Sequence, residues 1–167
     1  AVRAPALHGA ARIRLRAEDF HTRRYAQKSA SCLILALDAS GSAAMQRLAQ
    51  AKAAVELLLA QSYARRDSVC VIGFRGAQAQ CLLPPTRSLV RAKRALAGLP
   101  GGGGTPLASA LRLSLSQATQ LHREGQTPLL VVLSDGRANV TLAGLGGRQQ
   151  AQSEASALGQ RWAQTGF

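Results

Sequence analysis

The 167 residues, 47% hydrophobic and 4% aromatic, supply enough Leu, Val, Ile and Ala for one packed domain, which excludes a disordered chain. A formal net charge of +13 favours an acidic protein surface as partner, and the scarcity of base-stacking aromatics argues against nucleic acid. Apolar runs such as Leu129 to Leu133 are far shorter than the roughly 20 residues of a membrane span.

No signal peptide is visible, and the first residue is Ala1 rather than Met, so a piece of a longer protein is expected. Residues 1–9 read as a tail and 10–167 as one domain. In Ala11–Arg16, apolar and arginine residues alternate with the period of a half-buried strand. Cys32–Leu37 is apolar without alternation, as in a strand covered on both faces. Gly41 and Ser42 then precede a helical course over 43–65 through Leu48, Ala51, Val55, Leu58 and Ser62, with Ser42 as its N-cap and Met45 in the core.

Ser68–Phe74 reads as a second buried strand, and Ala77–Pro84, after Arg75-Gly76, as its antiparallel hairpin partner. A short basic helix over Ser88–Leu99 carries Arg91, Lys93 and Arg94. The run Gly101–Gly104 interrupts the pattern before a helix with Leu107, Ala110, Leu111, Ser114, Ala118 and Leu121 on one face. Pro106 suits the first position of that helix. Thr127–Leu133 reads as a third core strand ending in Ser134-Asp135-Gly136, and a last helix is expected over 148–164. The alternation of strand and helix implies an α/β domain, a mostly parallel sheet flanked by helices.

Cys32, Cys70 and Cys81 all sit in apolar runs, and three cysteines without metal-like spacing imply reduced core thiols and a cytosolic setting. His8, His21 and His122 form no cluster, which argues against zinc. Oxygen side chains, by contrast, gather at the strand ends. Asp38, Ser40 and Ser42 follow the first core strand, Thr105 follows the glycine run, and Asp135 follows the third core strand. Ligands of open α/β sheets bind beyond the carboxyl ends of the strands. Two carboxylates and three hydroxyls there suit Mg2+ or Mn2+.

The motifs "LDASGS", "GGGGTPL" and "VVLSDGRAN" resemble the metal-ion-dependent adhesion site of von Willebrand factor A (integrin I) domains. "LPPTRSLVRAKRALAGLPGGGGTPLASAL" resembles, more narrowly, the D subunits of magnesium chelatases, enzymes of chlorophyll and bacteriochlorophyll synthesis. The resemblance implies a three-layer, Rossmann-like fold that lacks its last strand or strands. It also implies that Ser40, Ser42 and Thr105 ligate the ion, with Asp38 and Asp135 holding it directly or through water. The domain itself would be non-catalytic and bind no nucleotide.

The implied assembly is cytoplasmic and built of hetero-oligomeric rings. An AAA+ ATPase subunit drives it, and a porphyrin-binding subunit receives Mg2+ into protoporphyrin IX. The domain's own acidic linker is a further expected partner. Arg137 and Asn139 beside Asp135, and Arg91 and Arg94 on the basic helix, are candidate partner contacts. Two other readings use the same residues: the equivalent domain of a cobaltochelatase or other adhesion module, and a metal-assisted hydrolase. The hydrolase would want a general base near the ion, and no His or Glu falls in the three motif loops.

Overall fold

Ser31–Asp38 forms strand β1, and its six central residues are all buried. Alternation sends Leu33, Leu35 and Leu37 into one core cluster, and Cys32, Ile34 and Ala36 to the other face. Both faces are therefore covered, as the unbroken apolar run requires. The computed structural model describes residues 30–40, 57–62, 64, 65, 67–98 and 101–167. The expected strand over 11–16, Ser42, Met45 and the start of the first expected helix lie outside the described residues; 57–62 are helical.

The described sheet has the order β3-β2-β1-β4. Strand β2, Ser68–Arg75, runs parallel to β1 with Leu33 beside Val69, and strand β4, Thr127–Leu133, runs parallel to it on the other side. Strand β3, Gln78–Thr86, returns antiparallel to β2 after the Gly76-Ala77 turn, so the expected hairpin is present. Its register shifts twice near Leu82 and the Pro84-Pro85 pair. An outer strand tolerates this, because a proline has no N–H to give to a ladder.

Helix α1, Leu89–Ala97, is capped by Ser88, whose hydroxyl accepts from the Arg91 N–H. It seals one face with Ala92 against Val69, Val71 and Leu83. Helix α2, Leu107–Arg123, covers the other face through Ala118 and Leu121. It ends where Gly125 takes φ +77° and the Gln126 N–H reaches the Leu121 carbonyl at 3.0 Å, a close that releases the chain straight into β4. Helix α3, Arg148–Gln164, packs on α2 through Ala108, Ala151, Ala155 and Leu158. Trp162 and Phe167, their rings 5.8 Å apart, pack onto the Ile34 cluster. Each fully buried Leu or Ile in these layers contributes about 1.5–3 kcal/mol.

Three expectations need correction. Cys32 and Cys70 are core thiols, but Cys81 is exposed, because it lies on β3, an outer strand of the described sheet. Strand β4 is not a core strand in the described sheet. It has one strand neighbour, and Leu129 and Val132 are 59% and 36% exposed. Pro106 stands before the helix rather than at its first position. Its ψ of 62° is not helical, although its carbonyl accepts from the Ala110 N–H.

Candidate metal centre

The carboxyl ends of β1 and β4 and the start of α2 meet at one edge of the sheet. Asp38 closes β1, and its Oδ1 accepts from both the N–H (2.9 Å) and the hydroxyl (2.6 Å) of Ser40. That local turn aims the Ser40 hydroxyl back over the strand end. The same Ser40 Oγ lies 2.6 Å from Thr105 Oγ1, across 65 residues of chain. Asp38, Ser40 and Thr105 therefore present adjacent oxygens. Thr105 is only 5% exposed.

Close backbone approach puts Thr105 there. Gly102 donates its N–H to the Ala39 carbonyl at 2.9 Å. At Gly104 a Cβ would run into the Val140 Cγ2 and lie 3.2 Å from the Gly76 carbonyl, so a side chain at this position would push the loop outward. Thr105 is then held from the far side, where its N–H donates to Asn139 Oδ1 at 2.6 Å and its carbonyl accepts from the Asn139 N–H at 3.3 Å. Asn139 is thus a strut of the site, a role its position in the sequence did not reveal. Arg137 is exposed, and its N–H donates to Asp135 Oδ1 at 3.1 Å.

Ser134 is the residue that sequence reasoning missed. Its hydroxyl donates to Asp38 Oδ2 at 2.8 Å and accepts from the Gly136 N–H at 3.1 Å. The available signal was a hydroxyl directly before Asp135 at a strand end. Ser42 lies outside the described residues. Asp135 follows Ser134 in the exposed loop after β4. Arg91 and Arg94 are exposed on α1.

All the converging donors are oxygens. Among the described residues no three His, Cys, Asp or Glu side chains gather as a metal site. An acidic oxygen pair flanked by hydroxyls fits a hard divalent cation. The described His and Glu side chains are occupied elsewhere. His122 packs against Phe167 at 5.1 Å, Glu124 bonds Gln120, and Glu154 holds the Leu142 N–H at 2.6 Å. Among the described residues no helix is long and apolar enough to cross a membrane.

Comparison with known proteins gives the family and the fold. The von Willebrand factor type A domain profile matches residues 33–137. The magnesium-chelatase 60 kDa subunit of Cereibacter sphaeroides is 54% identical over 144 residues, which cover 86% of this chain and 26% of that protein. The 60 kDa subunit of Rhodobacter capsulatus is 51% identical over 138 residues, 83% of this chain and 25% of the relative. The chain thus spans about a quarter of the length of these two relatives. Among solved structures, the vWF domain of the pilus tip protein Mfa5 from Porphyromonas gingivalis superposes with a TM-score of 0.61 at 14% identity. That match covers 70% of this chain and 41% of the other. The pilus adhesin SpaC from Lactobacillus rhamnosus GG gives 0.58 at 19% identity, covering 68% and 16%. These two likenesses concern the fold.

Proposed function

Since the chain belongs to the von Willebrand factor type A domain family and is homologous to magnesium-chelatase subunits, we propose that it is a metal-dependent docking domain of such a subunit. One observation carries the reading: Asp38, Ser40 and Thr105 join through hydrogen bonds of 2.6 Å at the edge where open sheets bind ligands. Ser42 and Asp135 would complete the donor set. A bound Mg2+ or Mn2+ would supply a positive charge with a coordination position left for an outside carboxylate.

The chain's own groups do the rest. Asp38 supplies charge, and Ser134 and Ser40 fix its rotamer. Ser40 and Thr105 contribute neutral oxygens, so the ion keeps its pull on a partner's carboxylate. Asn139 holds Thr105 at its distance. The partners in this reading are an AAA+ ATPase subunit and a porphyrin-binding subunit in the cytoplasm, assembled as rings that insert Mg2+ into protoporphyrin IX. Arg137, Arg91 and Arg94 would meet acidic surfaces of those partners or of an acidic linker. In this reading the domain contributes adhesion, and the two glutamates described, Glu124 and Glu154, bond to Gln120, Gln150 and the Leu142 N–H.

Calorimetric titration with Mg2+ and Mn2+ tests the site. Saturable binding is expected in the chain and none in Asp38→Ala, with circular dichroism unchanged. Pull-down of the ATPase subunit should follow the same pattern. Equal partner capture by Asp38→Ala would remove the ion from docking.

A further inference from the structure

Beside the ion site lies a groove of about 740 Å³ between the glycine run Gly101–Gly103 and the β2–β3 hairpin, where Arg75, Gln78 and Gln80 line it. Ala39 forms its inner end, and Ala39 is the residue between Asp38 and Ser40. The groove's walls are locked to the site. Ala39 gives its N–H to the Phe74 carbonyl at 3.1 Å and takes the Gly102 N–H on its own carbonyl at 2.9 Å. One wall is bare glycine backbone, which lets another chain approach closely.

The opposite wall carries two amides, one cation and the exposed Leu82. Arg75 is the one charged side chain among the described residues that line the groove. It is exposed at the end of β2, and its register partner across the hairpin is Gln78 rather than a carboxylate. An extended polypeptide can satisfy its backbone on Gln78 and Gln80, and an acidic side chain can satisfy Arg75. A surface with a net charge of +13 favours the same sign of partner.

We propose that this groove seats an extended acidic segment of a partner protein, with one carboxylate on Arg75, as that segment runs away from the ion site. The assignment rests on the docking role of the ion site, and it adds the surface that reads the residues flanking the bridging carboxylate. Such a contact distinguishes partners that share only a single acidic residue.

The test uses the chain in Mg2+ with a fluorescein-labelled twelve-residue peptide carrying Glu at alternate positions, and the matching Gln peptide, read by fluorescence anisotropy. The Glu peptide is expected to bind saturably and the Gln peptide at least tenfold more weakly. Arg75→Glu, and more mildly Arg75→Gln, should weaken the Glu peptide, tenfold or more for the reversal. Arg87→Glu, at the opposite end of β3, should change it less than twofold.

No binding of the Glu peptide, equal binding of the Gln peptide, or an equal loss in Arg87→Glu overturns the groove. So does a dimer of the chain that Arg75→Glu dissolves, since the occupant would then be a second copy. Asp38→Ala separates the two readings. Loss in Asp38→Ala with Arg75→Glu unaffected overturns the groove and leaves the ion site standing. Binding that survives Asp38→Ala and fails in Arg75→Glu supports the groove and removes the ion bridge.

Discussion

Ser134 and Asp38 stand 96 residues apart in the chain, yet the hydroxyl of one donates to the carboxylate of the other at 2.8 Å. The bond ties the end of β4 to the end of β1, and it leaves Asp38 Oδ1 to be shared with Ser40. Orientation of the carboxylate is therefore a joint product of two hydroxyls and one backbone N–H. It is the feature that most nearly makes the cluster a prepared site.

Ser134→Ala should keep the fold, because Ser134 is exposed, and should lower Mg2+ affinity about tenfold, the mild end of what outer partners of metal ligands cost. Calorimetric titration beside Asp38→Ala checks this. An affinity equal to that of the unaltered chain would mean that Asp38 needs no help from β4.

Gly104→Ala should destabilise by about 1–3 kcal/mol, the usual cost of forcing atoms into a packed position. The added methyl would meet Val140 Cγ2 and approach Asn139 Oδ1 to 3.1 Å. Because Asn139 also holds the Thr105 N–H, Mg2+ binding should weaken together with the urea midpoint. A stability loss without an affinity loss would separate the strut from the site.

Ser114→Ala should stabilise the chain by about 0.5–1 kcal/mol, since a buried hydroxyl without a partner costs its desolvation and alanine is the better helix former. Ser114 is fully buried on α2, and its hydroxyl has no hydrogen-bond partner among the described residues. Urea unfolding gives the answer directly. A lower midpoint would show that the hydroxyl has a partner after all.

Alkaline pH should destabilise the fold through two thiols. Burial pushes the Cys32 and Cys70 thiols up, and Cys70 is raised further by its neighbour Cys81, through charge and through a hydrogen bond that favours the protonated form. A pKa higher in the folded than in the unfolded chain means that stability is fully present below the unfolded value of about 8.5 and falls as pH rises above it. Urea midpoints at intervals from pH 7 to 10 should decline, and the decline should flatten in Cys70→Ala.

Much of this architecture was legible from local patterns. The run Cys32–Leu37 read as a strand covered on both sides, and the hairpin after Arg75 and the helix over 148–164 follow from turn chemistry and periodicity. Asp38, Ser40 and Thr105 were legible as a group because strand ends in such sheets point to one edge. Cys81 was misread because an apolar run on an outer strand looks like one in the core, and exposure depends on how many neighbours a strand has. The same cause lies behind the partial exposure of β4.

Local chemistry alone thus decided which residues form the described strands and that oxygen donors collect at strand ends, because periodicity and turn preference act over a few neighbouring residues. Tertiary structure decided the rest. It placed Ser134 on Asp38, put Asn139 behind Thr105, and set Arg75 beside a glycine wall. Those contacts join segments that are distant in the chain, and only the packed sheet brings them within hydrogen-bond reach.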